Sequence, residues 1–182
     1  FLQGTLMTLR ISAIAFVGGL ALATVILVLG FVGGPVARAL IMIYLAILRG
    51  VPFIVLLFLV HFGMPFAGFR MPALFNGTLA LTLYASAYFS EVLRAAVLAL
   101  PRGQWDSARA IGMSPVRAAW HIIVPQILRP TIPPLVNNTI TMIKESSVIS
   151  AITVGELTYQ GLVVQGRTFA PFEVLFAVAG IY

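Results

Sequence analysis

The chain has 182 residues, 60% of them hydrophobic and only 9% charged, with a mean hydropathy of +1.06. A soluble domain needs about a quarter of its residues charged to solvate its surface, so this composition excludes an ordinary globule and points to several membrane-spanning helices. The net charge is +6, but Arg94, Arg102, Arg109 and Arg117 gather around one loop, as membrane topology demands, rather than spreading as a nucleic-acid footprint. Without cysteine, neither a disulfide frame nor a thiolate metal site can form.

In chain order, the first apolar run, Ile11 to Val32, is long enough to cross about 30 Å of hydrocarbon. Gly33, Gly34 and Pro35 end it, and Arg38 follows. The second run, Leu40 to Phe62, contains Arg49-Gly50-Val51-Pro52; the proline removes a backbone donor and biases Val51 away from helix, which predicts a kink. Gly63 to Pro72 reads as a turn-rich connection. The third run, Leu79 to Leu100, carries Tyr84, Tyr88 and Glu91 on one helix face, with Arg94 placed to pair with Glu91. A polar stretch over residues 101–120 comes next, then a fourth run, Ile122 to Ile143, expected to be bent by Pro125, Pro130, Pro133 and Pro134. Ser146 to Gln165 is too broken for a lipid-facing span and is expected to be a re-entrant or periplasmic helix inside the protein.

The last run starts near Phe172 and is still apolar at Tyr182, so it is expected to be completed by residues beyond the chain; Phe1 likewise suggests numbering that begins inside a longer protein. The expected fold is all-α: one transmembrane domain over residues 1–182, a polytopic bundle of about five spans. Placing the arginine-rich loop in the cytosol puts Arg38 there too and leaves Arg10, Arg70 and Arg167 outside, so the amino terminus is expected to be external.

The polar loop parses as a device. Trp105 to Ile111 can form about two turns of helix, and Gly112 sits where a left-handed cap would end them. Ser114-Pro115 restarts helix, serine accepting from free amides and proline preset for the first turn. The elbow carries small residues, Ser107, Ala108 and Ala110, that admit another surface closely, flanked by Arg109 and Arg117. From the residues alone, the loop either docks a water-side protein or lies on lipid headgroups.

The pattern Asp106-Ser107-Ala108, three residues, Gly112, nine residues, Ile122-Ile123-Val124-Pro125 resembles the EAA loop of bacterial ABC-importer permeases. Aspartate stands for the usual glutamate, serine for alanine, and valine for leucine before Pro125. Gly4-Thr5-Leu6-Met7-Thr8-Leu9, Leu48-Arg49-Gly50-Val51-Pro52, Ala87-Tyr88-Phe89-Ser90-Glu91-Val92-Leu93-Arg94 and Lys144-Glu145-Ser146-Ser147 are similar to hallmarks of the polar amino-acid branch, in the same order. The resemblance implies a type I importer permease of the bacterial inner membrane. It implies partners too: cytosolic ABC ATPase subunits, a second permease subunit (identical or paralogous), a periplasmic or lipid-anchored substrate-binding protein, and membrane lipid, but no nucleic acid. ATP and Mg would sit on the ATPase subunits, with no cofactor on this chain. The coupling helix is then carried by Gly103, Asp106, Ser107, Ala108, Arg109, Gly112, Met113, Ser114, Pro115 and Arg117.

Ionisable side chains at bilayer depth cost several kcal/mol unless paired or wet, which makes each a functional candidate. Lys144, Glu145, Ser146 and Ser147 end the fourth run, where unwound backbone, a carboxylate and hydroxyls can meet both charges of a zwitterion, or can simply be hydrated at the interface. Arg49 can bind a substrate carboxylate or brace the kink by donating to freed carbonyls; Tyr84, Tyr88 and Glu91 should face a cavity or seam. His61 and His121 are too distant in topology for a shared metal site. No phosphate loop with Lys-Ser/Thr, no Ser/His/Asp set and no His-Glu-x-x-His motif occurs, so the chain is not expected to be catalytic. The alternatives are a stand-alone secondary transporter or channel for small polar solutes, and a membrane scaffold or enzyme subunit without transport.

Overall fold

The computed structural model describes residues 1–101 and 103–182; Arg102, counted above with the loop arginines, lies outside the described residues. Its helices are Leu2–Val32 (α1), Pro35–Gly50 (α2), Phe53–Phe66 (α3), Ala73–Leu98 (α4), Gly103–Ala110 (α5), Pro115–Ala118 (α6), Val124–Glu145 (α7), Leu157–Thr168 (α8) and Pro171–Ile181 (α9). A π-helical turn, Ala119–Ile123, joins α6 to α7, and a 3-10 segment, Ser146–Ile152, follows α7. The described residues form no strand.

Among the described residues, α1 alone is long and apolar enough to cross a membrane as one helix, and there are up to four crossings when each bent pair is counted as one; α9 adds a shorter apolar helix. The bent pairs are α2 with α3 at 111°, α4 with α5 at 67°, and Pro115–Ile152 with α8 at 52°. At Val51-Pro52 the expected kink is therefore a full break. Val51 is extended (φ −104°, ψ 135°), as a residue before proline prefers, and α3 restarts beyond Pro52 in a new direction. Tyr44 meets Ser86, Arg49 meets Glu91, and Phe53 then meets Tyr84. So α2 runs alongside α4 in the same direction, and α3 turns back along α4 to bring His61 beside Asn76.

The centre of the bundle is α1 on α4, and small residues bring the two backbones together. A Cβ added at Gly19 would meet the Ala85 Cβ at 2.8 Å and the Ser86 nitrogen at 3.3 Å. Without an apolar-versus-water drive inside lipid, such close approach and its dispersion contacts hold helices together. Leu57, Leu81, Phe89, Met142 and Ile149 complete the core. Val17, Val25, Phe31, Leu40, Met42 and Phe62 stand among many large apolar residues left exposed, a surface suited to acyl chains and not to water.

α7 continues through Pro130, Pro133 and Pro134, and the effect of proline falls instead at its start. Pro125 has no N–H and crowds the preceding turn, and the chain there widens into the π turn, with Val124 N–H donating to the Ala119 carbonyl. The region expected to be a re-entrant or periplasmic helix is the 3-10 segment plus α8. α8 packs on the first turns of α1, where a Cβ at Gly4 would meet the Leu157 backbone at 2.9 Å. The elbow instead packs near Leu27, late in α1, so the two lie at opposite ends of the bundle.

Candidate functional site

The elbow is built as its punctuation dictates. At the end of α5, Gly112 takes φ +77°, its N–H donates to the Arg109 carbonyl at 2.9 Å, and Met113 N–H donates to the Ala108 carbonyl at 3.0 Å. That pair of bonds is a Schellman stop, which favours glycine at the left-handed position. Ser114 then caps α6, its hydroxyl accepting from Arg117 N–H at 3.4 Å with Pro115 in the first turn. Asp106 in the first turn of α5 opposes the positive end of the helix dipole.

The π turn carries α6 directly into α7. One point differs from the expectation. Ala108 is fully buried, so the small exposed residues of α5 are Ser107 and Ala110. Asp106, Ser107, Arg109, Gly112, Ser114, Pro115 and Arg117 are exposed with Gly103, while Met113 is half-buried. Ile111 and Val116 flank the bend and are 75% and 68% exposed, giving the tip an apolar surface ringed by Arg109 and Arg117.

The second feature is an open cleft of about 780 Å³ between the end of α1, α2 and α4, lined by Arg38, Arg49, Tyr88, Glu91 and Arg94 among others. Arg94 makes a two-pronged bond to Glu91, Nε to Oε1 at 3.1 Å and Nη2 to Oε2 at 2.9 Å. Arg49 Nη1 approaches Glu91 Oε2 at 3.4 Å, and its guanidinium lies 5.8 Å from the centre of the Tyr88 ring. Arg49 therefore goes to a carboxylate rather than to the carbonyls of the break. Tyr84 joins the set through its ring, 4.7 Å from that of Tyr88. One carboxylate shared by two guanidinium groups leaves positive charge beside an aromatic face, a setting that attracts a carboxylate.

Lys144, Glu145, Ser146 and Ser147 do not line that cleft. The backbone there tightens into 3-10 helix instead of unwinding. Ser146 is fully buried and donates to the Ile143 carbonyl at 2.6 Å, so its hydroxyl is turned inward. Ser147 is half-buried, its carbonyl accepting from Ser150, and Lys144 is exposed. Glu145 is half-buried near Tyr84. His61 and His121 are occupied separately, by Asn76 and by the Arg117 carbonyl.

Sequence reasoning missed Glu156. It is fully buried, caps α8 by accepting from Thr158 and Tyr159 N–H at 2.9 and 2.7 Å, and accepts from the Tyr182 hydroxyl at 2.8 Å. Thr8 completes the node, accepting from Leu157 N–H at 3.1 Å. Thr8 and Glu156 are 148 residues apart, and no local spacing announces them.

The sequence is 33% identical, over all of this chain and 84% of the relative, to the probable glutamine ABC transporter permease protein GlnM of Bacillus subtilis. It is 34% identical to the arginine ABC transporter permease protein ArtQ of Haemophilus influenzae, covering 97% of this chain and 82% of that one. Among solved structures, the fold matches one titled as an amino acid ABC transporter with histidines, with a TM-score of 0.91 and 32% identity over all of this chain and 85% of that chain. A methionine ABC transporter in an inward-facing conformation shares the fold with a TM-score of 0.73 at 20% identity, covering all of this chain and 95% of that one. The profile of the family described as the binding-protein-dependent transport system inner membrane component matches residues 23–182. Multi-pass, apolar and bent into a capped elbow at one end, the chain belongs to that family of inner-membrane transport components.

Proposed function

We propose that the chain is the amino-acid-translocating permease subunit of an ATP-driven importer, docked through residues 101–120 to cytosolic ABC ATPase subunits. The observation that carries this reading is the elbow tip: a glycine-stopped, serine-capped bend whose exposed Ile111 and Val116 need a protein surface to cover them. The names of its relatives, permeases for glutamine and arginine, support amino acids as cargo. Two permease subunits would enclose a path at their seam, a binding protein would deliver solute at the α8 end, and ATP with Mg would be held by the ATPase subunits. Gly103, Asp106, Ser107, Arg109, Gly112, Met113, Ser114, Pro115 and Arg117 shape or face the docking surface, with Ala108 as its internal packing.

For the path, Arg49 and Arg94 offer guanidinium donors to a solute carboxylate, Tyr84 and Tyr88 an aromatic wall, and Glu91 holds both arginines in place. Glu145, a carboxylate near that wall, suits an ammonium; Lys144 and Ser147 lie outside the cleft, and Ser146 serves as packing.

Ile111→Glu and Val116→Glu test the docking, since both alter the exposed tip and leave the caps intact. In the complex rebuilt in proteoliposomes with its ATPase and binding protein, each should release the ATPase and abolish ATP-driven uptake. Uptake at the wild-type rate with the charged tip, or uptake by the permease alone, would overturn the reading.

A further inference from the structure

Beneath the elbow lies a contact that neither the loop motif nor the cleft uses. Gln126, in the first turn of α7, donates from Nε2 to Gln104 Oε1 in α5 at 3.0 Å, and also to the Ile122 carbonyl at 2.8 Å. Beside it Trp105 is half-buried against Val97, Ile123 and Ile127. The second bond matters because it holds the Gln126 amide to its own helix, so the donor is aimed at α5 in advance instead of wandering over the surface.

An eight-residue helix does not keep its direction by itself. α5 leaves α4 at 67° and ends in a glycine bend, so its orientation depends on side-chain ties to the helices behind it. Among the described residues, Gln104–Gln126 is the side-chain hydrogen bond that joins α5 to the α7 rod, and the Trp105 cluster is the apolar contact next to it. Neither group touches the exposed tip. Their placement serves transmission between tip and span, not recognition of a partner.

We infer that the Gln104–Gln126 bridge, with Trp105 beside it, is a strut that makes α5 and α7 move as one body, so that displacement of the elbow passes into the membrane. Gln104 and Gln126 are positioning residues, and the strut stays closed throughout the cycle. This rests on the docking reading above.

The test uses the whole complex, with its ATPase and binding protein, in proteoliposomes. Gln104→Met removes the acceptor while keeping length and bulk; Gln104→Glu keeps an acceptor. With Met the ATPase stays bound and active while solute moved per ATP falls about threefold, the scale of one partly exposed hydrogen bond; with Glu that ratio stays near wild type. The chain has no cysteine, so Gln104→Cys with Gln126→Cys can be joined by a short thiol-bridging reagent. Transport should continue when they are joined. An unchanged ratio in the Met variant, an equal loss in Met and Glu, or arrest on joining would overturn the strut; where the Met variant does not assemble, the joined pair decides. A normal ratio with the ATPase still bound rejects the strut alone, whereas a wild-type complex without ATPase at the elbow rejects the docking reading.

Discussion

Gly112 and Glu156 are opposite kinds of residue. Gly112 matters for a shape its backbone must hold, with φ +77° and nothing near its Cα to obstruct a side chain. Gly112→Ala should therefore cost about 1 kcal/mol through backbone strain alone, lowering the thermal midpoint of the purified permease slightly without excluding the ATPase by bulk. Glu156 matters for what it collects: two helix N–H groups and two hydroxyls on a carboxylate sealed from solvent. Glu156→Ala removes the cap of α8 and leaves those donors unpaired, an expected loss of about 2–4 kcal/mol. Heat denaturation in detergent should show a far larger drop for Glu156→Ala than for Gly112→Ala, and a reversal of that order would refute both assignments. Gly112 was legible from its neighbours because a glycine before Ser-Pro is a local signal. Glu156 was not, since its partners Thr8 and Tyr182 become neighbours only when three helices meet.

Elements were readable where apolarity and punctuation agree. The Gly-Gly-Pro stop and both caps of the elbow lie where the residues place them, whereas the first helix starts at Leu2, well before the expected Ile11, and the kink expected at Pro52 is a full break. The misjudgements share one cause: proline acts on geometry through what it packs against. Pro52 gives a 111° break because α3 can pack back on α4, whereas Pro130, Pro133 and Pro134 leave α7 continuous. The α1–α4 seam makes a graded prediction about glycine. A methyl at Gly30 meets nothing within 4 Å, at Gly18 it meets the movable Thr82 Cγ2 at 3.0 Å, and at Gly19 it meets Ala85 Cβ at 2.8 Å. Gly30→Ala should be neutral or slightly stabilising, Gly18→Ala intermediate, and Gly19→Ala destabilising by about 1–3 kcal/mol. Unfolding midpoints of the three variants in one detergent check the order.

At the scale of the molecule, composition alone announced a membrane bundle and the loop motif announced its family. The cleft was half legible: Arg94 three residues after Glu91 predicts their pair, but the approach of Arg49 depends on how α2 packs against α4, which no periodicity encodes. The orientation that follows from the arginines has a direct check. In this cysteine-free chain, Ser107→Cys should react with a membrane-impermeant thiol reagent only from the cytosolic side, and Leu2→Cys, at the far end of α1, only from outside. Labelling of both from one side would defeat the topology and, with it, the docking.

Because α6 runs without interruption into α7, the stretch from Pro115 to Glu145 is a single stick of about 46 Å. One tip of that stick stands where the proposed motor would grip, and the other ends at a carboxylate near the tyrosine wall. Under the proposed docking, such a stick would tilt as a unit against α4, the helix it packs on. A push at the lower tip would then reach the upper end along the helix itself.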